Sequence, residues 1–374
     1  MKLYEYQAKD AFKEANIKIP NSQRIESAEA LEEALQTVGL PCVLKAQVLS
    51  GGRGKRGLIQ VVKTKEEALK ETKRLFEHEE NIKSLLVEEA IDIESEIYVS
   101  ITVDAYAGKA LLIASSEGGV DIETLAVEQP EKIIQMPIDI KDGLQVYQAT
   151  EIAYGFGFDV PISKQIIKTL LSLYQVFASH DAELVEINPL FITKQGEVLA
   201  GDGKIMIDDN SAFRQTRYEQ DQTDYKTEAE YEANQEGIPF IEFDGEIGLM
   251  CAGAGLTTTV YDLINYENGS VANYLEFGGP NYKKAVKAME ICLKVPSKVI
   301  LVVTFGTIAR ADVMAEGIVD AIKRLKPDRP IVTCIRGTNE ARAVEILKEA
   351  GLEPLFDTEE AVRKAVALCK EAKS

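Results

Sequence analysis

Residues 185–204 read Val185-Glu-Ile-Asn-Pro-Leu-Phe-Ile-Thr-Lys-Gln-Gly-Glu-Val-Leu-Ala-Gly-Asp-Gly-Lys204, the pattern of a β-hairpin. Thr193 and Glu197 flank a three-residue loop, Lys194-Gln195-Gly196, whose glycine stands where a type I turn followed by a bulge needs a positive φ. Folding the strands about Gln195 sets Asn188 opposite Asp202 and Glu186 opposite Lys204. Side chains two apart share a face, so these four project together. Directly opposed Cβ atoms lie roughly 5 Å apart. Val185, Ile187 and Leu199 supply the buried face. Pro189 cannot donate to the ladder, which predicts an edge or a bulge there, and the glycines flanking Asp202 predict a close approach to the backbone. A one-residue slip would carry the whole set to the other face. An amide oxygen and a carboxylate this close can hold one Mg²⁺, which takes about two protein ligands and fills its remaining sites with water and phosphate oxygens.

Upstream, residues 3–15 predict a helix with Leu3, Tyr6 or Gln7, and Phe12 as its apolar stripe. Ser27 caps a helix that runs to about Val38 and closes at Gly39. A strand from Cys42 to Val48 carries Lys45. It leads into Ser50-Gly-Gly-Arg-Gly-Lys-Arg-Gly57 and a second strand, Leu58 to Val62. The glycines allow backbone N–H groups to close over an anion, and Arg53, Lys55 and Arg56 add charge. No Gly-Lys-Ser/Thr precedes a helix, so this is a strand–loop–strand flap and not a Walker loop. Helix 65–77 and strands at 85–89 and from 94 follow. Glu88 and Glu96 are placed to accept from an adenine amine or from ribose hydroxyls. A strand from Lys109 to Ser116 ends in a second glycine turn ringed by carboxylates, Ser116-Glu-Gly-Gly-Val-Asp-Ile-Glu123. Helices at about 143–155 and 162–179 precede the hairpin.

Downstream, the polar, acidic stretch Tyr218 to Gly237 predicts a domain boundary, giving domains over 1–237 and 238–374. From 238 strands and helices alternate regularly, which predicts a doubly wound parallel sheet and an α/β class for the chain. Its loops Ala252-Gly-Ala-Gly255, Phe277-Gly-Gly279 and Phe305-Gly-Thr307 lie at carboxyl ends of strands, where ligands meet helix N-termini.

The 374 residues carry a net charge of −19, which disfavours nonspecific nucleic-acid binding. The longest apolar run, Val299 to Phe305, is too short to span a bilayer. Met1-Lys2-Leu3 runs directly into Glu5 and Lys9 without a secretory pattern. The five cysteines have no paired spacing and read as small core residues of a reducing cytoplasm. The two histidines, His78 and His180, read as surface or capping residues.

Together these pieces resemble, over essentially the full length, the β subunits of the ADP-forming succinate–CoA ligase family. The matching runs are Glu5-Tyr-Gln-Ala-Lys9, Leu44-Lys-Ala-Gln47, Gly51-Gly-Arg-Gly-Lys55, Glu117-Gly-Gly-Val-Asp-Ile-Glu123, Glu186-Ile-Asn-Pro-Leu190, Asp202-Gly-Lys204 and Gly253-Ala-Gly-Leu256. The resemblance implies an ATP-grasp fold followed by a flavodoxin-like CoA-ligase domain. Carried over, Lys45, Gly52, Arg53, Gly54, Glu88 and Glu96 match nucleotide-binding positions. Asn188 and Asp202 match Mg²⁺ ligands, and Glu186 matches a glutamate that orients a phosphorylated histidine. Pro20 matches the members that use ATP. The implied reaction moves a phosphoryl group from ATP to a histidine and then to a carboxylate, after which CoA displaces the acyl phosphate. Neither His78 nor His180 lies in a glycine turn. The resemblance therefore implies a separate α subunit that brings the histidine and most of the CoA site.

The chain departs from that pattern where the family meets the acid. Ala252 stands in place of the usual asparagine. Phe305-Gly-Thr307-Ile308-Ala309 replaces the usual Gly-Gly-Ile run, and Pro280 replaces a third glycine. The main expectation is the nucleotide-binding β subunit of a succinate–CoA-ligase-type enzyme, with malate, citrate, sulfoacetate or another short acid as alternatives. A stand-alone ATP-grasp ligase or a non-catalytic nucleotide-sensing subunit would share the first domain. The second domain weighs against the former, and the intact pair Asn188 and Asp202 against the latter.

Overall fold

Glu5, Ala8, Lys9, Ala11 and Phe12 form the buried face of the first helix, α1 (Glu5–Glu14). The structure is a computed structural model that describes residues 1–219, 222–278, 284–306 and 310–371. The chain divides into two compact units, residues 1–219 and 220–374.

In the first unit α1 is followed by β1 (Ser22–Ile25), α2 (Leu31–Val38), β2 (Cys42–Ala46), β3 (Ile59–Val62), α3 (Lys65–Phe76) and β4 (Leu85–Glu89). The four strands make an antiparallel sheet in the order β1-β4-β2-β3. Leu31, Ala34, Ala68 and Leu75 of the two helices bury one of its faces with Leu44, Val62 and Val87. A turn at Ala28–Ala30 follows Ser27, so the helix proper starts later than the capping residue suggests.

A second sheet is built from β5 (Ile93–Asp104), β6 (Lys109–Ser115), β7 (Ile133–Ile138), β8 (Ala182–Thr193), β9 (Val198–Ala200) and β10 (Lys204–Ile207). Its order is β10-β8-β5-β6-β7, with β9 also paired to β8. Between β6 and β7 lies the short helix α4 (Ile122–Glu128). Helices α5 (Val146–Gly155) and α6 (Val160–Ser179) precede β8. The largest core of this unit joins α1, α5 and α6 to the sheet through Phe12, Ile152, Leu170, Leu173, Val185 and Ile187. Neither α4 nor β7 stands out in the sequence. Only Leu125 of α4 is buried, and β7 is an edge strand interrupted by Pro137.

The turn and register of the hairpin form as the sequence predicts, but its second strand breaks between Ala200 and Lys204, so Asp202 lies outside the ladder expected to pair it with Asn188. Thr193 N donates to Glu197 O at 2.9 Å, Gly196 has φ +77°, and Lys204 pairs with Glu186. On the other side of β8, Ile97 pairs with Leu190 but Val99 with Ile187. Asn188 and Pro189 thus stand together opposite Tyr98, a bulge at the residue that cannot donate. The glycines around Asp202 have a packing reason. A Cβ on Gly201 would lie 2.3 Å from the ring of Phe191, and one on Gly203 would lie 2.6 Å from the ring of Phe12.

The second unit contains α7 (Glu228–Gln235), β11 (Phe240–Glu242), β12 (Ile247–Cys251), α8 (Ala254–Tyr266), β13 (Val271–Leu275), α9 (Ala285–Lys294), β14 (Val299–Gly306), α10 (Ala311–Leu325), β15 (Ile331–Gly337), α11 (Glu340–Glu349) and α12 (Thr358–Glu371). The sheet runs β11-β13-β12-β14-β15 and is parallel except for β11, which is antiparallel at its edge. Helices pack on both faces, with Ala288, Met314 and Ile318 on one and Val260, Val362 and Val366 on the other. After α11 the chain returns to the sheet only through an isolated parallel bridge between Thr333 and Pro354. The polar stretch read as a boundary contains α7, which buries Ala229 and Ala233 in the second core. The division therefore falls before this helix, after residue 219, and not at the 237/238 break that the composition suggests. All five cysteines are buried, and none of them forms a disulfide. Among the described residues no helix is long and apolar enough to cross a membrane.

Candidate functional site

Three carboxylates and three cations of the first unit meet in one buried cluster. Glu5 and Lys9 come from α1, Lys45 from β2, Glu88 from β4, Arg53 from the glycine loop, and Asp202 from the link between β9 and β10. Lys45 lies 2.6 Å from Glu88 and 3.1 Å from Glu5, and donates to the carbonyl of Gly201 at 2.6 Å. Lys9 lies 2.9 Å from Glu5, pairs with Glu88, and donates to the same carbonyl at 2.9 Å. An ammonium has three donors, so each lysine is matched to three oxygens. Arg53 reaches Glu5 at 2.5 Å through Nη1, and its Nη2 lies 2.8 and 2.7 Å from the two carboxylate oxygens of Asp202, charge-assisted contacts that bind the two carboxylates to one guanidinium.

Burial pushes the Glu5 carboxyl upward, but Lys45, Lys9 and Arg53 outweigh it and hold the group well below the usual glutamate range. Burial works against a charged Lys45, yet Glu5, Glu88 and Asp202 raise it above the ordinary lysine value. Both groups are therefore ionised at neutral pH. Glu88 turns its carboxylate onto Lys9 and Lys45 in the interior, 2% exposed. In this structure it faces two ammonium groups and no open groove.

The glycine loop folds on itself. The amides of Arg56, Gly57 and Leu58 donate to the carbonyls of Gly52, Gly54 and Arg53. Gly52 and Gly54 are exposed, and a Cβ on either would meet nothing within 4 Å. Arg56 pairs with Glu80 and bonds the carbonyl of Gly51, while Lys55 is exposed. Arg53 alone among the three bases turns inward, and its buried anchorage fixes the flap.

Asn188, pushed out by the bulge, clasps the second glycine turn. Its Oδ1 accepts from Gly119 N at 2.8 Å and its Nδ2 donates to Val120 O at 3.0 Å. Glu96 meets the same turn, because its carbonyl accepts from Gly118 N at 3.0 Å. Asp121 ends the turn by capping α4. Glu186 shares its sheet face with Ser100 on β5 and Lys204 on β10. Tyr98, buried, lies 2.9 Å from Ser100 Oγ and 3.3 Å from Glu186 Oε2. Burial raises the pKa of Glu186. Lys204 and Tyr98 oppose that rise, and Asp202 and Glu123 add to it.

In the second unit Ala252 directly follows β12 and is half-buried. It packs so closely on Gly278 that a Cβ at that glycine would come within 2.6 Å of it. Gly253, with φ +101°, caps α8. Thr307, Ile308 and Ala309, the other residues expected to face the acid, lie outside the described residues, as does Pro280.

Among the described residues no group of three or more His, Cys, Asp or Glu side chains could hold a metal ion. The donors present suit a hard cation that takes few protein ligands and keeps its waters. Pairing of Leu190 with Ala200 and of Glu186 with Lys204 brackets Asn188 on β8 and Asp202 in the link between β9 and β10. They offer one amide oxygen and one carboxylate. Glu5, Lys9, Tyr98 and the clasp on Gly119 escaped the sequence reading of the site. The run Glu5 to Lys9 was visible as a matching motif, but no chemistry attached to it.

The ATP-grasp domain family matches residues 2–192 and the CoA-ligase family matches residues 250–368. The chain is 70% identical over 373 residues to the ADP-forming sulfoacetate-CoA ligase subunit SqwK of Acholeplasma sp, covering 100% of this chain and 93% of that protein. It is 58% identical to the ADP-forming sulfoacetate-CoA ligase subunit SauC of Bilophila wadsworthia, with 98% of each covered. It is 41% identical to the succinate–CoA ligase [ADP-forming] subunit β of Ignicoccus hospitalis, with 100% of each covered. ATP citrate lyase from Methanothrix soehngenii, solved with citrate and coenzyme A, shares the fold with a TM-score of 0.73 at 20% identity over 99% of each chain. With both domain families in order and such similarity over its whole length, the chain belongs to the ADP-forming acid–CoA ligase family, as a subunit of the succinate–CoA ligase β type.

Proposed function

We propose that this chain is the nucleotide-binding β subunit of an ADP-forming sulfoacetate–CoA ligase. The observation that carries this reading is the ranking of its relatives. Two sulfoacetate–CoA ligase subunits share more of its sequence than the succinate–CoA ligase subunit does, over equivalent lengths. The acid end of the site agrees. Ala252 presents a methyl group where succinate ligases usually carry an amide, leaving room for a tetrahedral sulfonate in place of a planar carboxylate. Thr307 adds a hydroxyl at a position usually without a side chain. A pocket shaped for one polar group discriminates strongly against another.

The chain's own residues serve the first half of the reaction. Lys45 and Arg53 supply positive charge toward the phosphates of ATP, because phosphoryl transfer depends on placement and neutralisation of charge. Asn188 and Asp202 would hold Mg²⁺, which supplies further positive charge against the phosphates. Glu186 receives and orients the histidine of a partner α subunit, which takes the γ-phosphoryl group and passes it to the acid carboxylate. The thiol of CoA then displaces phosphate from the acyl phosphate. Glu96 and the turn at Gly118 and Gly119 border the nucleotide side of this arrangement.

The test is an ATP- and CoA-dependent assay of the α/β complex across sulfoacetate, succinate, malate and citrate, following both ADP and CoA thioester. The highest kcat/KM is expected with sulfoacetate. An optimum for succinate would show that the substitutions at 252 and 307–309 are compensated, and would overturn the substrate assignment.

A further inference from the structure

Helix α1 contributes two ionised side chains to the interior, and neither can touch a ligand. Glu5 is 4% exposed and Lys9 is 1% exposed. Their partners are nevertheless the cations assigned to the nucleotide. Glu5 uses Oε1 for Lys45 at 3.1 Å and Oε2 for Arg53 at 2.5 Å, so one carboxylate bridges both. Gln47 Nε2 also reaches Oε2 at 3.4 Å, and Gln47 Oε1 accepts from the backbone of Tyr6, which fixes Glu5 from both sides. We propose that Glu5, with Lys9 as its counter-ion, is a positioning residue of the nucleotide site, setting the Lys45 ammonium and the Arg53 guanidinium before the nucleotide arrives. This rests on the reading of Lys45 and Arg53 as the phosphate-facing cations.

Two neighbouring cations repel, and long basic side chains lose much rotamer freedom when they are held. A carboxylate placed between them removes both costs ahead of binding, which is what preorganisation means for affinity. Lys9 completes the charge balance. Without it three carboxylates, Glu5, Glu88 and Asp202, would face two cations in the interior. Lys9 spans Glu5 and Glu88 and holds the Gly201 carbonyl beside Asp202. Glu5 and Lys9 are four residues apart on one helix, so a single rigid element fixes the arrangement.

The experiment compares Glu5→Gln, Lys9→Met and the double variant in the α/β complex. Each is read by Tm and by KM for MgATP, the acid and CoA. Glu5→Gln is expected to raise KM for MgATP about tenfold or more and leave the other two near their wild-type values, as loss of one charge-assisted contact predicts. The double variant removes one charge of each sign. It is expected to recover Tm while KM for MgATP stays raised, and it carries the test if the single variant fails to fold. If KM for MgATP returns with Tm in the double variant, or never moves in Glu5→Gln, Glu5 is structural only and the proposal falls. Lys45→Met serves as the check on the premise. An unchanged KM for MgATP in that variant would place the nucleotide elsewhere, a failure distinct from that of Glu5.

Discussion

Asn188→Asp separates the clasp that this side chain makes from the metal role proposed for it. In this structure Asn188 Oδ1 accepts from Gly119 N at 2.8 Å and Nδ2 donates to Val120 O at 3.0 Å. Aspartate keeps the acceptor but sets a carboxylate oxygen against the Val120 carbonyl. One neutral hydrogen bond is lost, worth about 1 kcal/mol. Repulsion between the two oxygens adds to this, while the exposure of Val120 lets water relieve part of it. A local loss of about 1–2 kcal/mol corresponds to a roughly 5- to 30-fold rise in opening of the turn. Hydrogen exchange at the amides of Gly119 and Thr124 should rise by that factor, with the amides of β8 unchanged. The metal role predicts the opposite sign. A second carboxylate beside Asp202 should lower the Mg²⁺ concentration needed for half-maximal ATP turnover by the α/β complex. Unchanged exchange at Gly119 would refute the clasp. A raised Mg²⁺ requirement would refute Asn188 as a ligand.

Other expectations follow from the same geometry. Because the Glu5 pKa is depressed in the folded state, its contribution to stability is complete above the unfolded glutamate value and is lost as pH falls through the folded one. Acid titration of Tm should therefore drop more steeply for wild type than for Glu5→Gln at pH values below the ordinary glutamate range. Gly118→Ala would place a Cβ 2.7 Å from both the N and the O of Ile97. Backbone cannot yield as a side chain does, so a loss of roughly 1–3 kcal/mol is expected, visible as lowered Tm and faster exchange at Gly119. Glu186→Gln should slow phosphorylation of the partner histidine by at least roughly tenfold with the calorimetric affinity for MgATP intact. Collapse of that affinity would make Glu186 a structural residue.

What the sequence disclosed and what it concealed divide by range. The hairpin was legible because its signals are local: two-residue alternation, a glycine at the turn, and a proline that marks the bulge. The register Glu186 to Lys204 followed from counting. The second unit was legible because its strands are nearly continuous apolar runs, as buried parallel strands are. Helix α7 was hidden because its buried face is only Ala229 and Ala233. The glycines beside Asp202 were read correctly as sites of close approach. What approaches them, the rings of Phe191 and Phe12, lies ten and nearly two hundred residues away in sequence and could not be named. The same limit hid the charge cluster. An i, i+4 pair such as Glu5 and Lys9 ordinarily marks a solvated helix face, although here the two share the side of α1 that carries Ala8 and Phe12. Only the tertiary partners, Lys45, Arg53, Glu88 and the Gly201 carbonyl, show that this face is buried.

The cost of that cluster is the reason to read it functionally. Taking charged groups such as Glu5, Lys9, Lys45, Arg53 and Glu88 out of water requires several kcal/mol for each. Well-packed apolar residues often serve stability as well or better in such a place. The surface pairs of this chain, such as Lys18 with Glu197, incur little of that cost and contribute little, about 0–1 kcal/mol each. A chain of net charge −19 could have closed this interior with hydrophobic side chains, as it does at Leu44 and Val87 in the same sheet. Instead it gathers three of its cations where the glycine flap, the bulge at Asn188 and the carboxylate of Asp202 converge. Arg53 holds Asp202 and Lys45 holds the carbonyl of the preceding Gly201, so the positive groups and the Asp202 carboxylate are set against each other in advance of any ligand. The sum of charges in the cluster is zero, which lets it be buried. Its arrangement, with every ammonium donor matched, gives the proposed nucleotide site a defined geometry.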